Sequence, residues 1–170
     1  LDLGSKPFTF PHGHCPWECN FALKRELALE MGGFDARLGH RGDVPGYREG
    51  VDLNLRLQAA GYESWWLPGA GIRHHIHAKR MNLRWLLGAT FNEGRTVAIQ
   101  RLKYKKGADK LTYALGRLVA APFHLAVNLF VAAVAWPFKS GRPAVKALSR
   151  CMSVSGLALQ LTREICCGFR

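Results

Sequence analysis

The chain has 170 residues, a formal net charge of +12 and five cysteines. This length is sufficient for one domain with a hydrophobic core. The cysteines are odd in number and lack the spacing of a disulfide framework, which excludes a small disulfide-stapled module and predicts reduced thiols facing the cytoplasm. The first twenty residues contain no apolar run of the kind that marks a secretory signal.

The charge is unevenly distributed along the chain. Residues 1–72 contain 7 Lys and Arg against 9 Asp and Glu, whereas residues 73–170 contain 17 against 3. A strongly basic half predicts an acidic partner, either a nucleic acid or an anionic lipid surface.

The first 19 residues have the proline, glycine, histidine and aromatic content of a loop, with one short strand predicted at Phe8–Phe10. Four residues in this stretch have side chains that bind zinc in other proteins: His12, His14, Cys15 and Cys19. No second ligand pair follows at zinc-finger spacing, so we interpret them as parts of a polar loop.

A short helix is predicted next. Leu23, Leu27 and Met31 recur four residues apart and therefore share one helix face. The Gly32-Gly33 pair predicts the end of this helix, because glycine readily adopts the left-handed conformation of a helix cap.

A second helix is predicted over Glu49–Ala60. Glu49 and Asp52 fall in its first turn, where the helix dipole favours negative charge. Glu63–Leu67 and Ala70–His75 have strand composition and are separated by a Pro-Gly turn.

The sequence patterns of residues 73–170 predict helices. A long helix from Asn82 has an apolar face and a basic face that ends at Lys106, which suits either an interfacial helix on an anionic membrane or an ordinary surface helix. Leu118–Phe138 is an uncharged apolar run close to the length that spans a bilayer. A proline and two polar residues interrupt it and basic residues flank both ends, so a spanning helix and a re-entrant hairpin both remain open. Residues 143–165 predict an amphipathic helix.

Five short motifs follow one another within residues 14–100. They are Trp17-x-x-Asn20-Phe-Ala-Leu-x-Arg25-Glu, Met31-Gly-Gly-Phe-Asp35, Glu49-x-Val-Asp52-Leu-x-Leu-Arg56-Leu, Ala60-Gly-Tyr and Leu67-Pro68-x-Ala70-x-x-x-His74. In this order and spacing they resemble the acceptor-side half of family-2 glycosyltransferases with the GT-A fold. The resemblance implies an α/β fold class, with a partial GT-A (nucleotide-diphospho-sugar transferase-like) domain followed by an α-helical membrane-associated tail.

The resemblance also implies three regions. Residues 1–78 correspond to the C-terminal half of the GT-A domain, 79–112 to an amphipathic basic helix, and 113–170 to a membrane-associated helical region with a span or hairpin at about 118–138. The chain contains no Asp-x-Asp and nothing like the nucleotide-binding first half, and residue 1 is Leu. We therefore expect the donor-binding half upstream of Leu1, and we expect little activity from this fragment alone.

In enzymes of this family a carboxylate removes the proton of the acceptor hydroxyl, which is general base catalysis. The resemblance implies Glu49 as the base and Asp52 as a second candidate. Gly50 occupies the position where the family usually has its catalytic aspartate. The alternative is that Glu49 and Asp52 only stabilise the start of a helix.

Other residues have roles implied by the resemblance. His74 matches a histidine that can join a divalent metal, Mn²⁺ or Mg²⁺, whose remaining ligands are expected from the missing donor half. Trp17 and Asn20 match the wall that binds the acceptor sugar, although ordinary loop packing explains Trp17 equally well. Arg84 and Trp85 resemble the Arg-Trp pair of processive members and are candidates for contact with diphosphate or lipid.

The resulting hypothesis is a glycosyltransferase that moves a sugar from a nucleotide-sugar donor to an envelope, polysaccharide or lipid-linked acceptor at an anionic membrane. The expected location is the cytoplasmic face of a membrane, the bacterial inner membrane above all. Two alternatives remain open: a catalytically inactive membrane remnant or scaffold, and a basic nucleic-acid-binding protein. The second lacks support from a groove with aromatic platforms, so no nucleic acid partner is expected.

Overall fold

The computed structural model describes residues 3–16, 18–137 and 141–169 and is mostly helical. The described elements, in chain order, are β1 (Phe8–Thr9), α1 (Arg25–Glu30), α2 (Glu49–Ala59), β2 (Trp65–Trp66), a 3₁₀ turn (Ala78–Arg80), α3 (Leu83–Lys103), α4 (Ala108–Ala135) and α5 (Arg142–Cys166). They form two compact units. The first unit contains the chain up to Gly39 and Arg48–His75, and the second contains His40–Tyr47 and the chain from Ile76 onward.

The first unit is built around α2. Leu53 and Leu57, one turn apart on this helix, are buried, and Leu38 in the preceding segment is fully buried as well. The predicted start of α2 at Glu49 is confirmed, and the helix ends one residue before the predicted end. The predicted short helix before Gly32 is confirmed as α1.

The first unit contains one small sheet among its described residues. β1 and β2 pair in antiparallel orientation, with Phe8 opposite Trp66 and Thr9 opposite Trp65. The strand predicted over Ala70–His75 is wrong: these residues have no regular structure and are all exposed. A strand needs a neighbour for its backbone groups, and β2 pairs with β1, which lies more than fifty residues earlier in the chain.

The second unit contains α3, α4 and α5. The predicted helix after Asn82 is confirmed as α3, and the side-chain oxygen of Asn82 caps it by accepting a hydrogen bond from the backbone N–H of Trp85 at 2.8 Å. The apolar run is continuous helix as far as Ala135, as part of α4, and the predicted amphipathic helix is α5. α5 packs against both α3 and α4.

α4 and α5 pack as an antiparallel pair. Ala114, near the start of α4, clusters with Leu157 and Leu161 near the end of α5. At the same end the ammonium of Lys110 lies 5.9 Å from the centre of the Phe169 ring. Seven buried or half-buried positions of α4 recur at alternating spacings of four and three residues: Ala114, Leu118, Ala121, Leu125, Asn128, Ala132 and Ala135. This is the heptad pattern of a coiled-coil seam. Lys110, Tyr113, Arg117 and Ala120 are half-buried beside them.

The backbones of α3 and α5 approach each other so closely at Gly94 and Gly156 that a side chain at either position would overlap the neighbouring helix. A Cβ atom added at Gly94 would overlap the carbonyl oxygen of Ser153, and one added at Gly156 would overlap the carbonyl oxygen of Phe91. Each helix therefore uses a glycine to admit the backbone of the other, as small residues do where helices cross closely.

The apolar part of α4 exposes several large hydrophobic side chains. Val119, Phe123 and Phe130 expose 80%, 69% and 69% of their surface. α4 is the one helix within the described part of the chain that is long and apolar enough to span a membrane. Such a large exposed apolar surface is typical of a face that contacts a membrane or a partner.

Candidate active site

The start of α2 is capped by a residue from a distant part of the chain. Arg48, which precedes the helix, has the left-handed backbone conformation (φ 77°) and its side chain forms no cap hydrogen bond. Instead, Oε1 of Glu18 accepts hydrogen bonds from the backbone N–H of Gly50 at 3.1 Å and of Val51 at 3.0 Å. The carboxylate satisfies two of the helix's four free N–H groups and meets the positive end of its dipole.

Gly50 makes this contact possible. A Cβ at position 50 would lie 2.5 Å from Cγ and 3.1 Å from Cδ of Glu18. The Glu18 side chain therefore occupies the space that any larger residue at position 50 would need. The family resemblance predicts an aspartate at position 50, and the structure has a carboxylate from residue 18 directly beside that position.

Glu49 is the next carboxylate at this helix end. Its Oε2 atom is buried and has no hydrogen-bond partner within the described part of the chain. A buried polar oxygen without a donor is energetically costly, so this atom lacks the stabilisation that hydrogen bonds give to the carboxylates of Glu18 and Asp52.

Asp52 has a different environment. It is fully buried and its Oδ2 accepts a hydrogen bond at 2.9 Å from Nε of Arg56, one turn along the helix. The guanidinium of Arg56 also donates to the backbone carbonyls of Met31 and Gly33, just beyond α1. Asp52 thus belongs to a charged link that joins α2 to the end of α1.

Electrostatics distinguish Glu18 from an ordinary surface glutamate. Partial burial raises the pKa of the Glu18 carboxyl, the negative charge of Glu49 raises it further, and the two N–H donors and Arg48 act in the opposite direction. Cys15 lies nearby and its thiol contacts the carbonyl of Val51 at 3.8 Å. Burial also raises the pKa of this thiol, so it is held in its protonated form.

Two further predicted residues belong to the first unit. The amide Nδ2 of Asn20 donates to the carbonyl of Ala70 at 2.6 Å, which ties the loop after Glu18 to the irregular segment before His74. His74 is exposed in that segment. Trp17, predicted as part of the acceptor wall, lies outside the described residues.

The first unit does not by itself fit a divalent metal. No group of three or more His, Cys, Asp or Glu side chains that could hold an ion occurs in residues 3–16, 18–137 and 141–169. His74 supplies one imidazole, whereas Mg²⁺ and Mn²⁺ prefer several oxygen ligands.

Arg84 and Trp85 belong to the second unit, in the first turn of α3, and both are exposed. The Trp85 ring is paired with Arg80, whose guanidinium carbon lies 5.7 Å from the ring centre. This cation–π contact places a positive charge on the face of the indole.

Glu18 is the residue that reading the sequence missed. It lies 32 positions before Gly50, in a segment without periodicity, so no local pattern connects the two. The available signal was a glycine in the first turn of a helix, where alanine would be more favourable.

Comparison with curated proteins gives a partial match to a glycosyltransferase. Over 91 residues, 53% of this chain, the sequence is 25% identical to glucosyl-dolichyl phosphate glucuronosyltransferase of Haloferax volcanii. The matched segment spans 29% of that relative's length. No family model matches the chain, and no solved structure matches it. The similarity supports a distant relationship to a glycosyltransferase.

Proposed function

We propose that this chain is the acceptor-side part of a membrane-associated glycosyltransferase, with a partial GT-A domain followed by a helical membrane region. The observation that carries the proposal is the similarity to a glycosyltransferase over more than half of the chain. The carboxylates gathered at the start of α2 agree with it, because sugar transfer to a hydroxyl needs a base at the acceptor side.

The reaction class is the transfer of a sugar from a nucleotide-sugar donor to a hydroxyl of a glycan or a lipid-linked sugar. The relative's name gives a glucosyl lipid phosphate as its acceptor. An acceptor on a lipid anchor suits an enzyme whose own α4 presents apolar residues such as Phe123 and Phe130 to its surroundings.

The membrane is the partner favoured by the charge of the second half. Basic residues flank α4 on both sides, which suits anionic headgroups next to an apolar core. We place the site on the cytoplasmic side, where nucleotide-sugars are available, with the bacterial inner membrane as the expected location. A divalent metal, if used, would take most of its ligands from a donor-binding region outside this chain.

The test uses membranes from cells that express the full-length protein containing this chain. Radiolabelled UDP-glucose, UDP-glucuronate and GDP-mannose are each supplied with Mn²⁺, and label is measured in the organic extract with and without added glucosyl polyprenyl phosphate. We expect label in the lipid fraction from one donor and a larger amount with added acceptor.

The alternatives give different results. An inactive remnant leaves the lipid fraction unlabelled for every donor while the protein remains in the membrane pellet. A nucleic-acid-binding protein leaves the pellet when ribonuclease is added. Either result overturns the proposed function.

A further inference from the structure

We propose that Glu18, rather than a residue of α2, is the general base that accepts the proton of the acceptor hydroxyl. The proposal rests on the proposed glycosyl transfer and assigns the base within it. Three carboxylates lie at or beside the start of α2, and their surroundings differ in the property that a base requires, which is an ionised oxygen that a substrate can reach.

Glu18 combines a fixed oxygen with an available one. Its Oε1 is held by the N–H groups of Gly50 and Val51, whereas its Oε2 accepts no hydrogen bond from the described residues. The residue as a whole is exposed, although its carboxyl group is partly buried beside Gly50. One anchored oxygen fixes the direction of the carboxylate, and the other can face an incoming hydroxyl.

The other two carboxylates lack this combination. Asp52 is fully buried and its carboxylate is engaged by Arg56. Oε2 of Glu49 is buried, so solvent and substrate do not reach that atom in this conformation. Glu49 instead acts on Glu18 through its charge, which favours the protonated form of Glu18 and so strengthens it as a proton acceptor.

The glycine at position 50 supports the same assignment. Because a Cβ there would lie 2.5 Å from Cγ of Glu18, the side chain of residue 18 can reach the helix only where residue 50 has none. The position of the Glu18 carboxylate therefore depends on the glycine at position 50, and the space left by that glycine is filled by Glu18.

The acceptor hydroxyl oxygen forms a bond to the anomeric carbon of the nucleotide-sugar, and the bond from that carbon to the diphosphate oxygen breaks. The nucleoside diphosphate leaves with the bonding electron pair, and the hydroxyl proton ends on Oε2 of Glu18. The charged and titratable groups around Glu18 are Arg48, Glu49 and Cys15.

The decisive variant is Glu18→Gln in the full-length protein, assayed with the donor and lipid acceptor that the wild type uses. The amide oxygen of Gln can still accept from the two backbone N–H groups, but it cannot take a proton. We expect kcat to fall by about 10²- to 10⁴-fold, with KM for the nucleotide-sugar changed by less than about threefold. The acidic limb of the pH–rate profile should disappear.

Two variants separate catalysis from folding. Glu30→Gln removes an exposed carboxylate of α1 in the same unit and should retain wild-type kcat. Gly50→Ala retains every carboxylate but displaces Glu18, so it should lose activity as Glu18→Gln does. Gly69→Ala, where an added Cβ meets nothing within 4 Å, is its glycine control. Melting temperatures of all variants establish that they fold.

The outcomes are distinguishable. Full activity and an intact acidic limb in Glu18→Gln, with both lost in Glu49→Gln, would overturn the assignment and leave glycosyl transfer standing. A folded wild type that transfers no sugar from any donor would overturn the proposed function and this assignment together. A Gly50→Ala variant with wild-type kcat would also contradict the role of Glu18.

Discussion

The two units both contain glycines whose missing side chain leaves space for another group, but the group that enters differs. In the first unit Gly50 admits a charged side chain, which then binds two backbone N–H groups. In the second unit Gly94 and Gly156 admit the backbone carbonyls of a neighbouring helix. The first arrangement holds a reactive group in a defined direction, and the second brings two helices together.

The same contrast applies to what stabilises each unit. The first unit relies on hydrogen bonds that cross long stretches of chain, such as those of Glu18, Arg56 and Asn20. The second relies on helix packing around small and aliphatic residues. Hydrogen bonds between distant segments hold side chains in defined positions, as a binding or active site requires. Helix packing through small residues does not depend on surrounding water and is therefore compatible with a membrane.

The largest expected effect is on the polar link of the first unit. Arg56→Met removes the guanidinium that pairs with the fully buried Asp52 and with two carbonyls beyond α1. Breaking a buried pair in this way should cost about 3–5 kcal/mol of unfolding free energy, measured by denaturant titration in detergent. Arg37→Met is the control, because its pair with Asp35 is exposed on the arginine side and should cost at most about 1 kcal/mol. Equal losses of unfolding free energy in the two variants would show that the burial of an ion pair does not determine how much its removal destabilises the protein.

The next effect is on membrane association by the second unit. Val127→Lys places a charge in the middle of the apolar part of α4 and should cost about 2.5–3.5 kcal/mol of insertion free energy. The fraction of protein that resists extraction by alkaline carbonate should fall. Leu111→Lys, next to Lys110 and before the apolar run, should leave this fraction unchanged. Resistance of Val127→Lys equal to that of the wild type would argue against a bilayer around α4.

A smaller effect is expected at the helix crossing. Gly94→Ala forces a methyl group against the carbonyl of Ser153, so α3 and α5 must separate. We expect a loss of about 1–3 kcal/mol and a lower melting temperature. Gly88→Ala, in the same helix with nothing within 4 Å of the added Cβ, should be neutral or stabilising by about 0.5–1 kcal/mol. A stabilised Gly94→Ala variant would contradict the close approach.

The smallest effect is a pH dependence of stability. The pKa of Glu18 is raised on folding, so the folded chain binds more protons than the unfolded chain, and Glu18 opposes folding increasingly as pH rises through its pKa. Glu18→Gln should therefore gain melting temperature relative to the wild type at neutral pH, and this difference should shrink as the pH falls through the raised pKa of Glu18. A difference in melting temperature that grows on acidification would show that folding lowers, rather than raises, the pKa of Glu18.

Local patterns predicted the elements that depend on local sequence. The apolar run that includes Leu118, the glycine stop at Gly32 and the amphipathic helix after Asn82 are each encoded by neighbouring residues, and each is found in the structure. The strand over Ala70–His75 failed because strand formation depends on a partner that composition does not reveal. The contact between Glu18 and Gly50 could not be predicted from local patterns for the same reason, because it joins two segments that are far apart in the chain.

The antiparallel packing of α4 and α5 determines on which side of a membrane the two ends of this helix pair would lie. An antiparallel pair returns the polypeptide to the end from which it came, as the contact of Lys110 with Phe169 shows. If α4 crosses a bilayer, α5 runs back beside it, and Cys166 and Cys167 emerge on the same side as Lys105. Arg150 then lies near the middle of the apolar run, one residue before Cys151, whose sulfur contacts the carbonyl of Leu125. A guanidinium at that depth would require water or an anionic headgroup drawn inward, which would thin the bilayer locally around this hairpin.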